Sequence, residues 1–142
     1  MKLAYLSLLF FMNFSQIQSD LGSIELVISE TSSDDGVIQL LIFDQKSGWP
    51  ESLDEAWKIV TIPIKNGVAK KTIRDVPAGN YAVIVFHDHD KNGQIRKNKV
   101  GYPLDNFGFS NNPSLLFGIP SFDKCSKKVI AGEVTLFEID LR

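Results

Sequence analysis

The apolar residues of this chain recur at every second position in short segments, and that period decides what the chain can fold into. "SIELVIS" sets Ile24, Leu26 and Ile28 against polar neighbours. "GVIQLLIFD" from Gly36, "WKIVTIPI" from Trp57 and "NYAVIVFHD" from Asn80 are short, rich in β-branched and aromatic residues, and bounded by Gly, Pro, Asp or Asn. A helix would need a spacing of three or four, so these are strands. In the last of them both alternating sets are apolar, Tyr81, Val83 and Val85 against Ala82, Ile84 and Phe86, which predicts a central strand covered on both faces. "IKNGVA" reads as a two-residue hairpin, because Asn66 and Gly67 tolerate positive φ. "KKVIAGEVTLFEIDLR" adds a hairpin around Ala131 and Gly132, its last strand turning Phe137, Ile139 and Leu141 to one side and Glu138 and Asp140 to the other. In "PESLDEAWK", Pro50 and Glu51 suit the first turn of a short helix. About seven strands with turns between them predict an all-β fold: an antiparallel two-sheet β-sandwich, transthyretin-like or immunoglobulin-like, with one long ordered loop.

The first residues stand apart from this pattern. Met1 and Lys2 precede an apolar run of about twelve residues, and "SQIQS" follows, ending at the small Ser19. That arrangement predicts a signal peptide over residues 1–19 and a β-sandwich domain over residues 20–142, secreted or periplasmic after cleavage near Ser19. The run is too short to span a bilayer, which takes roughly twenty apolar residues, and no later segment approaches that length. No transmembrane segment is expected. The domain is mildly acidic with scattered Lys and Arg, which argues against nucleic acid as a partner. The only cysteine, Cys125, cannot form an intramolecular disulfide and reads as a small packed hydrophobe.

From Asp88 to about Ser126 the strand pattern lapses. Tyr102, Phe107, Phe109, Leu115, Leu116, Phe117 and Phe122 make this stretch too apolar for a solvated tail, so it is expected to be an ordered loop packed on one end of the sandwich. Aromatic residues carried there, Tyr102, Phe107 and Phe109, suit stacking on a carbohydrate or clasping a peptide or an apolar group. Trp49, in a Gly and Pro turn, is a second surface aromatic by the same reading.

"VPAGNYAVIVFHDHDKNGQI", then "GYPLDNFGFSNNP" and "PSFDK", in this order and behind a signal peptide, resemble the uncharacterised bacterial family named domain of unknown function 2141. The resemblance covers the chain from about Leu26 to its end. It implies a secreted or periplasmic transthyretin-like sandwich, and it implies no activity.

"FHDHDKNGQI" is the densest cluster of functional side chains. Asp88, Asp90, Asn92 and Gly93 follow the first half of a twelve-residue calcium loop, with alternate oxygen ligands, a glycine at the sixth position and Gln94 at the seventh, where a main-chain carbonyl serves. Arg96 and Lys99 stand where the loop should close with oxygen ligands, and the family resemblance implies an acidic residue in place of Arg96. Calcium is thus the one cofactor suggested, its remaining oxygens coming from Asp105, Asn98 or carbonyls. The alternative is a metal-free turn made by Asp and Asn side chains bonding their own backbone. His87 and His89 form a His-x-His pair for zinc but lack a third ligand. His87 is expected to be partly buried and bonded to Ser110, Asn111 or Asn112. A hydrolase using His87 with Ser110, or the Asp88 and Asp90 carboxylates, is the enzymatic alternative, although no nucleophile elbow surrounds Ser110. The favoured reading is a non-enzymatic binding or accessory module, with His87, Tyr102, Phe107, Phe109, Ser110 and Asn111 as binding residues.

Overall fold

The period of two becomes two packed sheets. In the computed structural model, which describes residues 20–142, the strands are β1 (Leu21–Ser29), β2 (Val37–Phe43), β3 (Lys58–Pro63), β4 (Ala69–Pro77), β5 (Gly79–Asp88), β6 (Phe107–Phe109), β7 (Lys127–Val129) and β8 (Val134–Asp140). One short helix, α1, spans Phe122–Cys125. The signal peptide assigned to residues 1–19 lies outside the described residues. The first sheet is ordered β4-β1-β8 and the second β3-β2-β5-β6, with β7 pairing the start of β5. This is the two-sheet sandwich that the alternation predicts, with one departure. β8 runs parallel to β1, from Ser23 beside Val134 to Ser29 beside Asp140. A parallel pair needs no short connection, and these two strands come from opposite ends of the domain.

The tight turns are real, but they are corners between the sheets. Asn66 and Gly67 take φ of 53° and 75°, and Lys65 and Val68 close the two-residue turn around them. The strands on either side, β3 and β4, nevertheless belong to different sheets, as do β4 and β5, and β7 and β8. At the β4–β5 corner the Tyr81 hydroxyl donates to the Pro77 carbonyl at 2.9 Å. Such a tyrosine corner pins the chain where it changes sheets in immunoglobulin-like sandwiches. The helix suggested at Pro50 does not form: Glu51 and Ser52 both donate their N–H to the Gly48 carbonyl, and the segment stays in turns. Anchoring of Trp49 beneath it outweighs a weak local preference.

Two cores result. Between the sheets lie Ile24, Leu26 and Ile28 of β1, Ile38, Leu40 and Ile42 of β2, Tyr81, Val83 and Val85 of β5, and Phe137 and Ile139 of β8. The opposite face of the second sheet offers Leu41, Phe43, Ala82 and Phe86, and the long stretch after β5 folds back over them with Phe107, Phe109, Phe122 and Cys125. Burying each of these rings is worth about 1.5–3 kcal/mol, enough to order the segment. The long loop is therefore ordered as expected, but it lies along a sheet face and contributes β6, paired from Ile84 with Phe109 to Phe86 with Phe107.

Candidate functional site

β5 ends where the acidic cluster begins. The buried Asp88 carboxylate accepts the backbone N–H of Asn92 at 3.1 Å, that of Gly93 at 2.8 Å and the Gln39 amide at 3.3 Å. Burial pushes the Asp88 carboxyl up, but the N–H donors from Gly93, Gln39 and Asn92 more than offset it and hold it below the usual carboxylate range. Asp90 accepts from the Asn92 side-chain amide at 2.8 Å, and the Asn92 side-chain Oδ1 accepts the Gln94 backbone N–H at 2.7 Å. The side chains thus bond the backbone of their own turn. Asp105, the next oxygen source in sequence, is held instead by Arg96, whose backbone N–H donates at 2.8 Å and whose Nε donates at 2.7 Å. Burial raises the Asp105 carboxyl and the Arg96 contacts lower it further than that, for a net downward shift. Among the described residues, no three His, Cys, Asp or Glu side chains converge as a metal cage.

His87 and His89 do face the same side. Their rings stack at 3.7 Å between centroids, 17° from parallel. His87 is fully buried, and its Nε2 lies 2.6 Å from the Asp35 carbonyl. A carbonyl can only accept, so Nε2 carries a hydrogen, and Nδ1 lies 3.2 Å from the Ser32 hydroxyl. The same hydroxyl oxygen lies 3.1 Å from His89 Nε2. His87 therefore ties β5 to the β1–β2 connection, a segment more than fifty positions away, and not to Ser110, Asn111 or Asn112.

"GFSNN" works as a clip. The buried Ser110 hydroxyl accepts the Val83 N–H at 2.9 Å and donates to the Cys125 carbonyl at 2.6 Å. Asn111 donates to the Lys124 and Ser126 carbonyls, each at 3.1 Å, and Asn112 accepts the Asp140 N–H at 3.0 Å. Together they bind β6 to β5, α1, β7 and β8. Neither Ser110 nor Asn111 shares a hydrogen bond with His87. Cys125 packs in the second core, and its thiol is pushed up to about 11 by burial against a smaller pull from Lys124. Trp49 is part of that core too, with ring centroids 5.4 Å from Phe43 and 5.8 Å from Phe109, and its Nε1–H donating to the Pro120 carbonyl. Its place in a Gly and Pro turn hid its role as a wedge beneath the turn.

The second core leaves a gap. On the outer face of the second sheet, a groove of 370 Å³ is floored by Leu41, Ile59, Ile84, Phe86, Phe107 and Phe109. Its walls come from three segments: Pro50 to Leu53, Gly93 to Pro103, and Ile119. Four polar side chains reach it, and three are already partnered: Gln39 with Asp88 and Thr61, and Glu51 with Lys97 at 3.1 Å. Tyr102 stands beside the groove, its ring 6.2 Å from that of Phe107 and steeply tilted to it. Two of the aromatic residues singled out in the sequence, Phe107 and Phe109, thus line a cavity, and they do so as floor.

Residues 26–136 match the bacterial family described as uncharacterized protein conserved in bacteria, DUF2141. The chain belongs to this family. No curated protein and no solved structure matches it. The matched span of this DUF2141 chain runs from Leu26 in β1 to Leu136 in β8, so it takes in the histidine contacts, the self-bonded turn and every residue lining the groove. Chemically, the turn, the His87 ring and the clip spend their hydrogen bonds largely within the protein, whereas the groove presents unpartnered apolar surface.

Proposed function

We propose that the chain is an exported, non-enzymatic binding module, and that its ligand is a small molecule whose hydrocarbon part lies in the groove on the outer face of the second sheet. The observation that supports this is an apolar lining in which three of the four polar side chains are already partnered within the protein. A polar group carried to the floor would find no partner there and would cost about 1–3 kcal/mol, so the floor selects hydrocarbon. The volume falls at the small end of ligand pockets, which run from about 300 to 1,000 Å³. Export rests on the apolar run and small cleavage residue of residues 1–19.

Titration with the neutral apolar fluorophore N-phenyl-1-naphthylamine tests this reading. A saturable rise in emission is expected, and Ile59→Glu, which sets a charge on the groove floor at a half-exposed position, is expected to weaken binding about tenfold or more. No saturable binding, or an unchanged Kd in Ile59→Glu, would remove the groove as the site.

A further inference from the structure

The loops that wall the groove continue outward into two turns of unusual composition. In the first, the Gly101 N–H donates to the Asn98 carbonyl at 2.9 Å, which puts Lys99 and Val100 at the two central positions. In the second, the Gly118 N–H donates to the Leu115 carbonyl at 3.1 Å, which puts Leu116 and Phe117 there. Both turns are anchored. The Asn98 side chain accepts the N–H groups of Val100 and Tyr102, and Leu115 packs against the second core. Anchored turns should spend their central positions on polar residues, yet Val100 is 87% exposed, Leu116 86% and Phe117 96%, with Tyr102 and Leu104 also in solvent. Large apolar side chains held in water on anchored turns mark an interaction surface.

Charge identifies the partner. From Lys91 to Leu104 there are four cations, Lys91, Arg96, Lys97 and Lys99, and no acid, in a chain whose formal net charge is −2. Asp105 neutralises Arg96 and Glu51 pairs with Lys97, which leaves Lys99 at the centre of the first turn and Lys91 earlier on the same loop. The second loop, Pro113 to Ile119, carries no charge at all. Apolar tips flanked by lysines, whose stems lie along hydrocarbon while the ammonium stays at headgroup level, fit the interface of an anionic bilayer. We propose that these two turns dock the protein on an anionic lipid surface, with the mouth of the groove at that surface so that its hydrocarbon ligand comes from the bilayer. The second half of this proposal rests on the groove reading above; the docking itself does not.

Sedimentation with vesicles of mixed phosphatidylglycerol and phosphatidylcholine, and with phosphatidylcholine alone, tests it. All proteins are compared at the same N terminus, verified by mass, so the apolar run near the start contributes equally. The protein is expected to sediment with the anionic vesicles. Leu116→Asp/Phe117→Asp should reduce that partitioning about tenfold or more without changing the melting temperature, because both side chains are in solvent. Lys99→Glu should reduce it roughly fivefold or more, on anionic vesicles alone and less at high salt. Partitioning unchanged in the double variant overturns the docking. Indifference to vesicles with capture by an acidic amphipathic peptide would assign the tips to a protein partner and overturn it equally. Vesicle binding without fluorophore binding would leave the docking standing and remove the groove; fluorophore binding without vesicle binding would do the reverse.

Discussion

The two faces of the second sheet carry apolar side chains in alternation, but they are covered in different ways. The inner face meets the first sheet, and Ile38, Leu40, Ile42, Val83 and Val85 are sealed against β1 and β8. The outer face meets loops: Phe43 and Ala82 are covered by Trp49 and Phe122, while Ile59, Ile84 and Phe86 are left along an open groove. A second sheet, with its own alternation and ladder, covers a face evenly. Loops cover it residue by residue and stop where their anchors stop. The consequence is a rigid sheet whose inner face provides stability and whose outer face has room for a ligand.

The largest effect should separate the two cores. Phe137→Ala in the inner core is expected to cost about 3–5 kcal/mol, and Phe107→Ala on the groove floor about half as much, since the outer core can relax into an existing gap. Equal losses in denaturant titrations would mean that the outer face is as tightly closed as the inner. Next, Ser110→Ala should cost about 1–3 kcal/mol by leaving the Val83 N–H and the Cys125 carbonyl without their hydroxyl partner. A hydrolytic turnover lost in that variant would contradict the clip and return Ser110 to chemistry.

Smaller effects probe the loop that walls the groove. Gly93 has φ of 74° with open space around it, so Gly93→Val should cost only the strain of that conformation, about 1–3 kcal/mol and toward the lower end. An unchanged melting temperature would show that the turn is not held in this shape. Melts of the wild type in chelator and in excess calcium complete that comparison: a turn bonded to itself should melt at the same temperature in both, and a rise with calcium that disappears in Asp90→Ala would restore the calcium loop. The smallest effect concerns acid. Asp88 and Asp105 are both held below the ordinary value of 3.8, so they bind fewer protons folded than unfolded near that pH. Their contribution is complete above the unfolded value and fades as pH falls from about 4 through the lower folded values. Asp105→Asn should flatten that acid limb, measurable as a shallower fall of melting temperature below pH 4.

Much of this architecture was legible because it is local. Ile24, Leu26 and Ile28 alternate in sequence and are all buried; Asn66 and Gly67 form their turn; Phe137, Ile139 and Leu141 face inward while Glu138 and Asp140 face solvent. The misreadings share one cause. A turn signal shows that the chain reverses but not whether the next strand pairs with the last, so two corners between sheets, at Asn66-Gly67 and Ala131-Gly132, resembled hairpins. Gly108 between Phe107 and Phe109 offered too few residues to announce β6, and Trp49 in a turn looked solvent-facing until Phe43, Phe109 and Phe122 closed around it. The partners of His87, Ser32 and Asp35, carry no motif at all.

By itself, then, the amino-acid sequence determined an all-β domain with a central strand apolar on both faces, a polar turn after it and an aromatic segment long enough to cover something. These follow from period and propensity, which neighbouring residues carry between them. Only the tertiary structure decided that this segment covers the outer face incompletely and that Leu41, Ile59, Ile84, Ile95 and Ile119 meet around a groove. A cavity is the space left when segments distant in sequence fail to fill a common volume, and no single segment encodes it.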